Sequence, residues 1–122
     1  MKSKKYFFAL VVLFVMSALI FYVSSTFADQ PEQVIKISAK KFEYSPSEIR
    51  VKKGVPVVLE LTSLDRLHGF NCPALGIRSN INPGQIARVR FTPQKSGTFA
   101  FFCDVFCGEG HEDMSGKIIV ED

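Results

Sequence analysis

Hydrophobic and polar positions divide this chain into two regimes. From Tyr6 to Val23, eighteen consecutive residues carry no charge. Beyond them the pattern changes to short runs of period two, which is the signature of half-buried strands. Gln33 to Ser38 sets Ile35 and Ile37 on one side and Val34 on the other. Ile49 and Val51 alternate with charged neighbours before Lys53-Gly54 turns the chain. Val55 to Leu61 is a β-branched run with Pro56 near its start, where a missing N–H is tolerated. Ile86, Arg88 and Arg90 alternate with Ala87, Val89 and Phe91; Gly97 to Cys103 is aromatic; Lys117 to Val120 closes the chain. Turn signals at Ser45-Pro46, Gly54, Pro83-Gly84, Pro93 and Ser96-Gly97 separate these runs. Six or seven short strands so punctuated predict an all-β sandwich. No sustained helical period and no internal repeat occur after the leader.

The leader has two readings. As an anchor, eighteen residues rise about 27 Å in a helix, close to the ~30 Å hydrocarbon core of a bilayer. As a cleaved signal, Ala28 would be the −1 residue and Thr26 the −3 residue, ahead of Asp29. The run is longer than a usual signal core and Thr is weaker than Ala at −3, which favours a retained anchor. Lys2, Lys4 and Lys5 precede the run and no lysine or arginine follows closely, so either reading exports the remainder. The expected organisation is an anchor or signal at 1–28, a short linker at 29–34 running into the first strand, and one domain at 35–122.

Composition narrows the function. With 122 residues, one domain is all the length supports. The formal charge of +3 comes wholly from the three leader lysines, and the exported part is neutral. Neither a basic stripe nor a binding motif supports nucleic-acid recognition. Three cysteines are too few for a disulfide framework.

The chemistry is concentrated between Cys103 and Met114, which read Cys-Asp-Val-Phe-Cys-Gly-Glu-Gly-His-Glu-Asp-Met. Two thiols, an imidazole and a thioether share this stretch, and the only other histidine, His68, follows a predicted strand. Such soft and borderline donors suit copper rather than magnesium or calcium. A single-copper electron-transfer site needs one Cys, two His and a weak axial Met. A second thiolate would let two copper ions share both sulfurs, each keeping one histidine. Other readings stand beside this one. A disulfide between Cys103 and Cys107 needs a tight loop, because in one extended strand they would lie roughly 13 Å apart. Cys103, Cys107, His111 and His68 could close a structural zinc site, which leaves Met114 without a role. His68 or Met114 taken singly reads as core; the joint pattern is what points to copper. No C-x-x-C-H occurs for a c-type haem, and Cys72 reads as a small buried thiol.

C-x-x-x-C-G-x-x-H-x-x-M from Cys103 to Met114 resembles the dinuclear copper (CuA) loop of cytochrome c oxidase subunit II. Asp65-x-x-His68-Gly69-Phe70 followed by Pro73 is similar to that family's upstream ligand segment. Leu75-Gly76-Ile77-Arg78 with Asn80 and Pro83-Gly84 is similar to its L-G-V-K…D…P-G stretch. Phe42-x-Tyr44-x-Pro46-x-x-Ile49-x-Val51-x-x-Gly54 is similar to the opening of many bacterial cupredoxins. The resemblance covers about Lys41 to Glu121 and implies a cupredoxin-like Greek-key β-sandwich behind one N-terminal hydrophobic helix. It also implies His68, Cys103, Cys107, His111 and Met114 as copper ligands, with the backbone carbonyl of Val105 as a further donor to a two-copper centre. Two departures stand out. The family typically has a magnesium-holding Glu at the position of Val105, and its tryptophan patch for cytochrome c has no counterpart, because this chain has no Trp.

The expected function is an electron relay, subunit-II-like, in a respiratory chain, with a c-type cytochrome donor and an oxidase catalytic subunit as partners. The alternative is an exported copper carrier without a redox partner. No catalysis of its own is expected, since the soft donors would all be consumed by metal. Asp104, Glu109, Glu112 and Asp113 are expected to make the metal end negative, which suits a basic donor. His111 is expected to have an acceptor on its other ring nitrogen that the sequence does not name.

Overall fold

The computed structural model of the chain describes residues 2–24 and 31–122. Lys2–Ser24 form helix α1, about 34 Å long at 1.5 Å per residue. Its segment Lys2–Ile20 has a mean hydropathy of 1.8 and is exposed along its length. That is long and apolar enough to cross a membrane, a test that a signal sequence near an N-terminus also passes. The expected Thr26/Ala28 cleavage position and the first linker residues, 29 and 30, lie outside the described residues.

Nine strands follow: β1 (Gln33–Lys40), β2 (Glu43–Ser45), β3 (Glu48–Lys52), β4 (Val57–Ser63), β5 (His68–Cys72), β6 (Ile77–Ile81), β7 (Ala87–Phe91), β8 (Gly97–Phe102) and β9 (Ser115–Glu121). They form one sheet in the order β2-β1-β4-β7 and another in the order β3-β9-β8-β5-β6. Side chains of both sheets, among them Ile37, Leu59 and Leu61 of the first and Phe70, Phe101 and Ile118 of the second, share one core. The result is the expected two-sheet sandwich. Burial follows the predicted alternation: in β7, Ala87, Val89 and Phe91 turn inward while Arg88 and Arg90 are exposed. In β1, Val34 is exposed and Ile37 is buried. Cys72 is a buried free thiol, as read from the sequence.

The strand count exceeds the expectation because β2 is only three residues long and β6 carries a weak apolar alternation. β4 begins at Val57 rather than Val55. Val55 is held in the turn by its N–H to the Lys52 carbonyl, and Pro56 has no N–H to offer the ladder. Gly54 makes that turn at φ +78°, where a side chain would be strained. β8 ends at Phe102, one residue before the expected Cys103.

Two features of this frame place the functional residues. β8 and β9 pair antiparallel with Phe102 opposite Ser115, and the Cys103 N–H donates to the Met114 carbonyl at 3.1 Å. The stretch from Cys103 to Met114 is therefore a closed loop whose neck is tied by two of the predicted ligand positions. Beneath it lie three aromatic rings. Tyr44 meets Phe101 edge-on at 5.0 Å and Phe70 at 6.1 Å, while Phe70 and Phe101 lie 4.6 Å apart. All three are buried, and each contributes roughly 1.5–3 kcal/mol of apolar burial.

Candidate metal centre

Three stretches of chain converge at one end of the sandwich: the β1–β2 turn, the β4–β5 connection and the closed loop between β8 and β9. His68 is the first residue of β5, paired with Ile81, so its backbone is held by the sheet rather than by a loop. It follows β4, as expected from the sequence, and opens the next strand. Its ring is fully buried. Nε2 lies 2.6 Å from Asp65 Oδ1. Nδ1 is the buried side-chain nitrogen that has no hydrogen-bond partner among the described residues. A buried ring nitrogen without a partner costs free energy unless something completes it. The donor atoms of His68, Cys103 and Cys107 all lie within 4.8 Å of one another.

The loop delivers the rest. Cys103 and Cys107 are free thiols with sulfurs 3.9 Å apart, both buried. The turn Asp104-Val105-Phe106 folds them together, whereas an extended strand would keep them apart. The Val105 carbonyl is 3.2 Å from Cys103 Sγ. His111 Nδ1 is 3.5 Å from Cys107 Sγ, and buried Met114 Sδ is 3.9 Å from the same sulfur. All six positions named from the sequence thus meet in one place, connected through the sulfur pair. Gly108 (φ +132°) and Gly110 (φ +95°) bend the loop before His111, and a Cβ on either would stand 3.0–3.3 Å from the Phe42 ring. Phe42 packs there as a floor.

Several supporting residues were not assigned from the sequence. Asp65 is the first. Burial works against its ionisation, yet the Lys41 N–H at 2.8 Å, the His68 ring and the Arg66 N–H at 2.7 Å hold its carboxyl down to about 2. Among the described residues, a carboxylate acceptor on a ring nitrogen is found at His68. The spacing Asp-x-x-His carried this signal, since three residues entering a strand can fold a carboxylate back on the ring. Gly69 is the second: its N–H donates to Cys103 Sγ at 3.4 Å and its carbonyl accepts from the Tyr44 hydroxyl at 2.5 Å. Burial first, and then the nearby cysteine sulfurs, push the Tyr44 hydroxyl well above its ordinary value. Burial and the neighbouring Cys103 sulfur likewise push the Cys107 thiol up to about 11. No simple pattern predicts Gly69 or Tyr44, whose roles arise from sheet register.

The expected negative rim needs correction. Asp104 is taken up by a two-pronged ion pair, Arg78 Nε and one terminal nitrogen each lying 2.9 Å from a carboxylate oxygen. That pair is the leading reason its carboxyl sits below the usual range. The Lys41 side chain also approaches Gly108. Glu109, Glu112 and Asp113 remain exposed. Phe106 is exposed too, with its ring 5.8 Å from that of His111.

Comparison with known proteins gives the same direction. The family model described as a cupredoxin-like domain matches residues 11–120. Cytochrome c oxidase subunit 2 of Thermus thermophilus is 33% identical over 91 residues, covering 75% of this chain and 67% of that protein. Nitrous-oxide reductase of Cupriavidus necator is 34% identical over 102 residues, covering 80% of this chain and 16% of that enzyme. The chain thus spans two thirds of one relative and a small part of the other. A chain from the structure of a haem-copper terminal oxidase dimer superposes with a TM-score of 0.67 and 24% identity, covering 98% of this chain and 99% of that one. Because the family match takes in nearly all of the sandwich together with much of the preceding helix, this chain belongs to the cupredoxin-like domain family, as a homologue of cytochrome c oxidase subunit 2.

Proposed function

We propose that the chain holds a dinuclear copper centre and relays electrons as the subunit-2-like module of a haem–copper oxidase. The observation that carries this reading is the buried, unpartnered His68 Nδ1 beside two free buried thiols whose sulfurs are 3.9 Å apart. Cys103 and Cys107 would hold the metals through their sulfurs. His68 and His111 would serve as terminal ligands, with Met114 and the Val105 carbonyl as weaker donors. Bound there, a copper pair supplies a one-electron carrier whose charge is spread over two metals. The protein's part is rigidity. Asp65 orients one imidazole, Gly69 donates to one sulfur, and the Cys103–Met114 neck closes the ligand loop. A c-type cytochrome as donor and an oxidase catalytic subunit as acceptor are the partners this reading assigns. The domain would sit outside the cytoplasmic membrane, tethered by α1, on the lysine asymmetry of the leader. The chain itself carries no catalytic step.

The test is copper loading of the full chain in detergent micelles with the thiols kept reduced, then one-electron oxidation with ferricyanide, metal counting and electron paramagnetic resonance. Two coppers per chain, with hyperfine structure from one electron shared over both, are expected. One copper with an ordinary four-line spectrum would overturn the dinuclear assignment. Rapid loss of copper to a thiol acceptor, in place of retention through repeated redox cycles, would make the chain a copper carrier.

A further inference from the structure

Arg78 stands on β6, outside every stretch that carries a predicted ligand. In the sheet, β5 lies between β6 and β8: Asn71 of β5 pairs with Arg78 on one side and with Phe102 on the other. Asp104 lies two residues beyond Phe102, past the end of β8. The Arg78–Asp104 ion pair therefore has to pass over β5 to reach the ligand loop. It passes where β5 has no side chain. A Cβ on Gly69 would stand 2.1 Å from Asp104 Oδ1, and 3.2 Å from both Asp104 N and Val105 Cγ2. Residues 104 and 105 consequently rest directly on the Gly69 backbone. The Gly69 N–H there donates to Cys103 Sγ, and the Val105 carbonyl faces the same sulfur.

We propose that Arg78 and Asp104 form a latch that straps the first half of the ligand loop onto β5, so that the pair sets how slowly the site gives up its metal. Both prongs of the guanidinium are used, each at 2.9 Å, which fixes direction as well as distance. Lysine, a single point charge, cannot reproduce the fork. Neither residue touches the sulfurs through its side chain, so each acts as a positioning residue. Releasing the fork frees the 104–106 turn while leaving the Cys103–Met114 neck and the His68 side of the site in place. The inference rests on the copper reading for its rate arm, but the strap itself is a property of the metal-free chain.

The test uses the full chain in detergent micelles as Arg78→Met, Arg78→Lys, Asp104→Asn and the Arg78→Met/Asp104→Asn double variant. Copper loss to an excess chelator is followed by absorbance. The pair is partly exposed, at 43% and 24%, so a coupling of ordinary strength makes each single variant lose copper about fivefold faster. The double variant should be no faster than the singles, with Arg78→Lys closer to Arg78→Met than to wild type. Hydrogen exchange on the metal-free chain gives an independent reading: the amides of residues 104–106 should exchange faster in every variant while β5 and β8 stay protected. Additive effects in the double variant, or unchanged exchange of residues 104–106, would overturn the latch. A wild-type chain that takes up no copper would refute the copper reading, and the exchange arm would still decide the strap.

Discussion

Asp65→Ala isolates how the buried histidine is presented. The substitution removes the acceptor 2.6 Å from His68 Nε2 and leaves a fully buried imidazole free to carry its proton on either nitrogen. With Asp65 present, the 2.6 Å contact favours the proton on Nε2 and leaves the buried Nδ1 without a hydrogen-bond partner. Loss of such a partner to a metal-bound histidine typically weakens metal binding about 10–100-fold, equal to roughly 1.4–2.7 kcal/mol. Asp65 also accepts from the Lys41 and Arg66 N–H groups, so the metal-free fold should lose about 1–3 kcal/mol besides. Asp65→Asn separates the two effects, because its amide oxygen can still accept from a backbone N–H but carries no charge. Copper affinity is read by chelator competition, metal-free stability by thermal melting, and the His68 tautomer by nitrogen-15 chemical shifts. Wild-type copper affinity in Asp65→Ala, or a proton found on Nδ1 in the wild type, would refute the reasoning.

Four further outcomes are expected. Cys103→Ser or Cys107→Ser should collapse the two-copper spectrum to a mononuclear or empty site, whereas Met114→Leu should keep copper at a raised potential; electron paramagnetic resonance and voltammetry check this. Copper affinity should fall as pH falls, by up to about tenfold per pH unit for each thiol proton displaced, because the Cys107 thiol is pushed up to about 11 and binds as thiolate; competition titrations at several pH values should show that slope, and a flat profile would remove thiolate ligation. Gly116→Ala would put a Cβ 2.4 Å from the Ser47 carbonyl and 2.3 Å from Phe101 Cζ, so melting should drop by about 1–3 kcal/mol, or several degrees for a domain this size. Reduction by a lysine-rich cytochrome c should slow with salt and with charge reversal at the exposed Glu109 and Glu112; stopped-flow rates at two ionic strengths decide it.

Much of this protein was legible without tertiary structure. Period-two alternation placed β1, β3 and β7, because half-buried strands must turn one face to the core and one to water. An uncharged run of eighteen residues behind three lysines marked the leader, since a bilayer imposes its own length and polarity. The ligand loop could be read because all its donors lie within twelve residues of one another and share one chemical softness. Register and long-range approach decided the rest. Asp65 could be seen three residues before His68, but only the turn into β5 brings its carboxylate to Nε2 and leaves Nδ1 buried without a partner. Gly69 reads as an ordinary strand glycine until Asp104 is found resting where its Cβ would be. Four loop carboxylates read as one negative surface, yet Asp104 is paired with an arginine twenty-six residues earlier in the chain. Local pattern carries the burial of each strand because burial depends on neighbours along that strand. Pairings such as Arg78 with Asp104 depend on which strand lies beside which, and that is settled only when the two sheets close around their common core.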